Sequence, residues 1–382
     1  MPKVLHAIDT GGPGGAENLF VQLVESLGAK GYDAVTSVPY EGWLHGKLRE
    51  KRLPVHVIPS KGGFSVGYLR ALLALIRAER VELIHSHLLG SNVYCSLAGR
   101  IAGIPVIGVF HGLPDISGRN SVAWLKRRIL LMRHNHIVSV SENLVDPLQG
   151  WGIPRERIAV IRNGIDIGKY VPGSAPHIRR EFGVGEGEIL IGAVGNIRKA
   201  KGYERLIDAA ALAVQRQPNL RFVIAGQGSP EALGKLRDEV ARRGLSERMR
   251  FLGFYPSSPE LLRAFDIFVS SSITEGLPLS FLEAMACGIP VAATINGGSE
   301  EVLQRGTFGR LANDVEGLAT ALVELSLDSA ERARLARLGR ERAARDFDWN
   351  VTVDSYAALY TRLVQGSGKH GHRRMATGRV IA

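Results

Sequence analysis

Two glutamates stand eight residues apart in the segment SSITEGLPLSFLEAMACGIPVAAT, Ser271 to Thr294. Glu275 precedes a Gly-x-Pro and Glu283 lies inside an apolar run. Carboxylates in such a stretch need partners, and two chemistries use a pair of them. They can act as acid and nucleophile in glycoside hydrolysis, or they can accept hydrogen bonds from the hydroxyls of a sugar. The strand-like run DIFVSSS ends in hydroxyls just before them, and Gly276 and Pro278 prepare a helix start. LSFLEAMAC reads as the helix, which Gly288 stops ahead of Pro290.

Three further stretches carry chemistry. GNIRKAKGYERL, Gly195 to Leu206, follows a strand-like run and places Arg198 and Lys201 where charge and forked hydrogen bonds could clamp a diphosphate; a merely solvated basic loop is the alternative. Two carboxylates next to a phosphate would repel it. Beside this basic loop Glu275 and Glu283 therefore read as hydroxyl acceptors, which favours transfer from an activated donor over hydrolysis. His111, in VFHG at a strand end, can donate to a substrate hydroxyl or balance developing charge. A core histidine bonded to a backbone carbonyl fits that position equally well. The loop DTGGPGGAENLF, Asp9 to Phe20, opens a helix whose free N–H groups favour an anion, and its glycines allow close backbone approach. It departs from the dinucleotide fingerprint in its third glycine, and no acid ends the second strand, so NAD binding is disfavoured. The single Asp-x-Asp, Asp346 and Asp348, sits where Asp348 would cap the last helix, and is not read as a metal site.

The elements that must position these residues alternate along the chain. β-branched runs KVLHAID, DAVTSVPY, PVHVIPS, ELIHSH, PVIGVFHG and HIVSVS are separated by segments whose apolar residues recur at i, i+3 and i+4. This is the pattern of a parallel sheet covered on both faces. The rhythm breaks around Asn163 to Glu188, which is rich in Gly and Pro. It then restarts with EILIGAVG, LRFVIAG, MRFLGF, DIFVSSS, PVAAT and FGRLA. The expected fold is α/β with two Rossmann-like, doubly wound domains. Their expected bounds are 1–165 and 188–348, joined by a linker at 166–187. A C-terminal helix over 349–365 would return to the first domain, and a basic tail over 366–382 reads as disordered. Doubly wound sheets bind ligands at the carboxyl ends of their strands, so the ligand is expected in a cleft between the domains.

Composition bounds the rest. The 382 residues are 45% hydrophobic with mean hydropathy +0.03, which suits two globular domains. No run of about 18 uncharged apolar residues occurs, so a spanning helix is not expected. The N-terminus lacks the pattern of an export signal. Cys95 and Cys287 lie in apolar surroundings that suit a reducing cytoplasm, and neither reads as a metal ligand. The net charge of +11 is uneven: RNSVAWLKRRILLMRH, 119–134, carries five Arg and Lys and no acid. Trp124, Leu125, Ile129 and Met132 could share one helical face there, with Lys126, Arg127 and Arg133 elsewhere. Either a helix lying on an anionic membrane or an ordinary basic surface helix fits.

At this point the motifs carry a family resemblance. EGLPLSFLE is similar to the E-x7-E motif of the retaining GT-B glycosyltransferases of family 4. GGPGGAENL resembles that family's N-terminal glycine loop, VFHG its histidine, RNGIDIGKY its interdomain segment and GGSEEV its late glycine loop; FDWNVTVDSYAALY resembles its returning helix. The resemblance implies a GT-B fold and transfer of a sugar from a nucleotide-diphosphate-sugar, a UDP- or GDP-hexose, to a glycan or lipid-linked acceptor in cell-surface polysaccharide or glycolipid synthesis. It implies retention of configuration, and no metal or other cofactor. By position, His111 and Glu275 would be the catalytic pair contacting the donor sugar, and Glu283 would hold the ribose. Lys201 would hold the diphosphate with Gly14, Gly15 and the helix start at Gly276, Leu277 and Leu279. The family often has Arg where this chain has Asn196. Either Arg198 supplies the guanidinium or the phosphate clamp is weaker. A nucleotide-sugar epimerase or hydrolase, and a non-catalytic nucleotide-sugar-binding module, are the competing functions. The expected location is cytoplasmic, peripheral on a membrane if 119–134 binds one; nucleic acid is not an expected partner.

Overall fold

The computed structural model describes residues 1–60, 64–112, 121–255 and 259–371. The chain forms two compact units, residues 1–162 with 351–382, and residues 163–350.

The first unit runs β1 (Lys3–Ile8), α1 (Gly15–Ala29), β2 (Asp33–Val38), α2 (Trp43–Glu50), β3 (Val55–Val57), α3 (Val66–Ala78) and β4 (Leu83–His87). It continues with α4 (Leu89–Ala102), β5 (Val106–Phe110), α5 (Ser121–Leu130), β6 (Asn135–Ser139), α6 (Val145–Gly150) and β7 (Ile158–Val160). The seven strands form one sheet in the order β3-β2-β1-β4-β5-β6-β7, and every pairing is parallel. Both faces are covered: Leu5 and Ala7 of β1 pack with α3 and α4, whereas Ile8 packs with residues of α1 and α2. All five residues of β4 and of β5 are buried, as two-sided burial requires.

The second unit runs α7 (Pro176–Glu181), β8 (Ile189–Val194), α8 (Tyr203–Arg216), β9 (Leu220–Ala225), α9 (Pro230–Arg242), β10 (Met249–Gly253), α10 (Pro259–Arg263) and β11 (Ile267–Ser270). After it come α11 (Leu279–Ala286), β12 (Val291–Thr294), α12 (Gly297–Leu303), β13 (Arg310–Ala312), α13 (Val315–Leu327) and α14 (Ser329–Asp346). Its sheet is again parallel, in the order β10-β9-β8-β11-β12-β13. The last helix, α15 (Trp349–Gly371), begins in this unit, and from Val351 onward its residues belong to the first.

Strand order reverses between β1 and β4 in the first sheet and between β8 and β11 in the second. At such a switch point the connections leave in opposite directions and open a crevice at the carboxyl ends of the strands. The loops after these four strands are therefore the positions for ligand chemistry; those after β1, β8 and β11 carry residues that the sequence singles out, whereas His111 follows β5.

The fold corrects the sequence reading in several places. The segment 166–187 is no linker: it belongs to the second unit, contains α7, and buries Tyr170, Ala175 and Ile178 in that unit's core. β7 escaped detection because three residues carry no measurable alternation. The tail reading also shifts, since α15 extends to Gly371, while 372–382 lie outside the described residues. In the basic segment, residues 119 and 120 lie outside the described residues. The four apolar side chains do not share a face: Ile129 is buried with Leu130 in the core, whereas Trp124 and Leu125 are about half exposed. The helix ends at Leu130, which separates Met132 from that face, and Met132 packs against the same core.

Candidate active site

In the second unit β8 leads through Gly195–Arg198 into a 3-10 turn, Lys199–Lys201. Gly202 follows with φ +57, a left-handed conformation that glycine adopts without strain, and a Cβ there would meet the Ser271 carbonyl at 2.5 Å. This reversal carries Lys201 back toward the neighbouring strand, so that its Nζ lies 2.7 Å from Glu275 Oε1. The same carboxylate oxygen accepts from the Ser272 hydroxyl at 2.6 Å, and Ser272 in turn accepts from Ser270. A small recess lined by Lys201, Tyr203 and Ser270 to Ser272 lies at this point. The Tyr203 hydroxyl donates to the Gly195 carbonyl at 2.6 Å, pinning the loop that carries Arg198. Arg198 itself is exposed.

The loop after β12 supports the same carboxylate from below. Asn296 and Ser299 form a capping box at the start of α12, and the Asn296 side-chain amide also donates to the Ser272 carbonyl. Gly298 lies so close that a Cβ there would sit 2.8 Å from Glu275 Cβ and 2.9 Å from the Gly276 carbonyl. The sequence reading missed these supports, although GGSEEV was recognised as a motif.

Glu283 faces a different partner. It lies in the middle of α11, and its Oε1 accepts from the Tyr170 hydroxyl at 2.9 Å. Tyr170 comes from the segment misread as a linker. Glu275 and Glu283 thus hold separate partners, a lysine and a tyrosine, rather than bonding each other. Gly276 is partly buried, Leu277 joins the core, and Leu279 opens α11 behind Pro278. Gly288 ends that helix at φ +74, as its position in the sequence indicated. Asp348 Oδ1 accepts from the Asn350 backbone N–H at the start of α15, and Asp346 pairs with Arg342 and Arg345, so the Asp-x-Asp is a cap and an ion pair.

In the first unit, Gly14 is the extended residue preceding α1 and Gly15 its first residue. A side chain at Gly14 would collide with the Glu17 carboxylate, which folds back over the helix start. His111 follows β5 directly. It is held by another imidazole: His87 Nδ1 lies 2.9 Å from His111 Nε2. His87 ends β4, and His85, two residues earlier, projects from the same face beside its register partner His6 on β1. His85 Nδ1 lies 2.5 Å from the Tyr360 hydroxyl of α15. Phe20 and Tyr356 pack edge-on or tilted against these rings. Burial drives the pKa of His6 down to about 3 and that of His111 to about 4, and it holds His85 and His87 well below the usual imidazole range. All four rings are therefore neutral at physiological pH.

His6, His85 and His87 offer nitrogens within 4.8 Å of one another. The His85 and His87 rings are only 4.5 Å apart at 15°, too close for coplanar rings, so they stack face to face. Stacked rings point their lone pairs side by side instead of at one point, whereas a metal must lie in the plane of each imidazole it binds. The cluster is an imidazole stack. Its signal in the sequence was the period-two His85-x-His87 on a strand.

Two doubly wound units with polar loops at both switch points define a class, the GT-B glycosyltransferases. The family model "Glycosyltransferase Family 4" matches residues 13–169, and "Glycosyl transferases group 1" matches residues 174–342. The D-inositol 3-phosphate glycosyltransferase of Corynebacterium jeikeium is 30% identical over 368 residues, covering 88% of this chain and 83% of the relative. The Escherichia coli UDP-Gal:alpha-D-GlcNAc-diphosphoundecaprenol alpha-1,3-galactosyltransferase is 27% identical, covering 78% and 79%. Among solved structures, HepE of Anabaena, crystallised with UDP, superposes with a TM-score of 0.85 at 24% identity, covering 94% of this chain and all of that one. The chain belongs to glycosyltransferase family 4. Among the described residues no helix is long and apolar enough to cross a membrane.

Proposed function

We propose that the protein is a retaining, metal-independent hexosyltransferase that moves a sugar from a nucleoside diphosphate sugar to a glycan or lipid-linked acceptor in cell-surface polysaccharide or glycolipid synthesis. The carrying observation is the Lys201–Glu275–Ser272 constellation at the switch point of the second sheet. A cation and a carboxylate poised on one another can separate onto a ligand that has an anionic and a hydroxyl end: Lys201 takes the diphosphate and Glu275 accepts from a sugar hydroxyl. Arg198, the α11 start at Gly276 to Leu279, and Gly14 and Gly15 add donors for the phosphates. Their charge stabilises the leaving diphosphate as it develops. Glu283, oriented by Tyr170, accepts from the ribose, and His111 serves the donor sugar. The leaving phosphate oxygen deprotonates the acceptor hydroxyl as the new glycosidic bond forms and the sugar–phosphate bond breaks on the same face, which retains configuration.

UDP-sugars are the favoured donors. UDP-galactose appears in the name of the E. coli relative, and HepE has been crystallised with UDP-glucose. A cytoplasmic site peripheral to a membrane is the matching location, with Trp124, Leu125, Arg128 and Arg133 of the basic segment outward.

The test is nucleotide release from a panel of UDP- and GDP-hexoses with lipid-diphosphate acceptors, run with and without chelator, and the anomeric configuration of the product by NMR. Glu275→Gln and Lys201→Ala are expected to lower turnover by about 100-fold or more with an unchanged melting temperature. Wild-type turnover in both variants rejects the site; an inverted product rejects retention.

A further inference from the structure

The His87–His111 contact has a sense that can be worked out. Two neutral imidazoles joined by one N···N contact need one N–H and one bare nitrogen, and either could supply the proton. The opposite nitrogen of His87 decides. His87 Nε2 is buried and has no hydrogen-bond partner among the described residues. If it carried the proton, a buried N–H would be orphaned; if it is bare, only an acceptor goes unused. Buried N–H groups without a partner are the rarer and costlier case. The proton of His87 therefore belongs on Nδ1, pointing at His111.

We propose that His87 is a positioning residue for His111: its Nδ1–H donates to His111 Nε2, which fixes the proton of His111 on Nδ1 and makes that nitrogen a hydrogen-bond donor toward the donor sugar. The sugar-facing role rests on the placement of His111 given under the proposed function; the hydrogen bond and its sense do not. His87 is well suited to the task. It ends β4 at the switch point, and its ring is clamped between the stacked His85 at 4.5 Å and the edge of Phe20 at 5.3 Å. Its burial beside His85, His111 and His6 keeps it neutral, so it holds one proton and cannot present two donors. The His85 stack holds the plane of the His87 ring, and within that plane only the orientation with Nδ1 toward His111 makes the 2.9 Å contact. A histidine whose proton is fixed on Nδ1 offers an N–H to an oxygen ligand and cannot take a proton there. This assigns His111 to orientation and charge balance, and leaves the acceptor's deprotonation to the leaving phosphate.

The experiment reads the proton directly. In protein labelled with 15N-histidine, long-range 1H–15N spectra of the full chain are expected to show His111 with an unprotonated Nε2 and a protonated Nδ1, and His87 with a protonated Nδ1. His87→Leu is expected to abolish that tautomer preference in His111 and to lower kcat/KM for the donor by about 3- to 10-fold, the value of one neutral hydrogen bond. His87→Asn, whose amide can place a donor near the Nδ1 position, is expected to restore most of it. On a His111→Ala background, His87→Leu is expected to cost nothing further. A protonated Nε2 on wild-type His111 overturns the proposal, as does a His87→Leu cost that persists without His111, because that is a packing effect. If His111→Ala turns over like the wild type while the tautomer is as expected, the placement of His111 fails and the hydrogen bond stands.

Discussion

Acidification should unfold one half of this protein and spare the other. The first unit buries His6, His85 and His87 and partly buries His111, whereas the second contains a single histidine, His177. Unfolded imidazoles take up a proton near pH 6.5, but folded His6 does so only near 3 and His111 near 4. Between those values the unfolded chain binds more protons than the folded one, so stability is complete above about pH 6.5 and is lost as the pH falls. At pH 5 each such group costs about 2 kcal/mol, since 1.5 pH units are each worth about 1.4 kcal/mol. His6 and His111 together cost about 4 kcal/mol, a large share of a domain's stability, and His85 and His87, held well below the usual imidazole range by burial, push in the same direction. Half-buried His136, lowered to about 4 by desolvation and by Arg362, pushes in the same direction. The assay is pulsed hydrogen exchange with mass spectrometry after incubation at pH 7, 6 and 5, with peptides assigned to the two units. Peptides of β1, β4, β5 and α15 should lose protection while those of β8, β11 and α11 keep theirs. Equal loss in both units, or a first unit still fully protected near pH 4.5, would refute the assignment of these histidines as buried and neutral.

Other perturbations test the second unit and the basic surface. Gly298→Ala introduces a Cβ 2.8 Å from Glu275 Cβ and 2.9 Å from a backbone oxygen; the displaced carboxylate should lower kcat by about 10- to 100-fold, and unchanged kinetics would show that the loop yields freely. Tyr170→Phe removes the donor to Glu283 Oε1 and should weaken nucleotide binding by about 3- to 10-fold in calorimetry, with kcat per bound donor nearly constant. Arg128→Ala with Arg133→Ala should weaken co-sedimentation with anionic vesicles by about fivefold per residue at low salt. Equal sedimentation would make α5 an ordinary surface helix.

Much of the architecture was legible because it is written locally. Alternating strand and helix periods, the glycine stop at Gly288 and the cap at Asp348 each depend on neighbours within a few residues, and all appear where the pattern places them. Local signals also misled. The Gly- and Pro-rich stretch 166–187 reads as a linker, yet burial of Tyr170, Ala175 and Ile178 orders it against the second core. In α5 the helical period alone grouped Trp124 with Ile129, and packing sent one outward and the other inward.

The chemistry of the site divides the same way. Residue types and motif spacing single out four side chains: Glu275, Lys201 and His111 stand in loops or turns that follow strands, and Glu283 lies within the helix α11. Tertiary structure alone decided what each of them touches. Tyr170 reaches Glu283 across 113 residues because it packs into the same core as α11, and Lys201 reaches Glu275 across 74 because β8 and β11 are neighbours in a sheet whose order no period encodes. His6 stands beside His85 for the same reason, and Tyr360 reaches His85 from a helix 275 residues away. Side-chain periodicity records which face a residue occupies, but strand order is set by the joint burial of both sheet faces, a property of the whole folded chain.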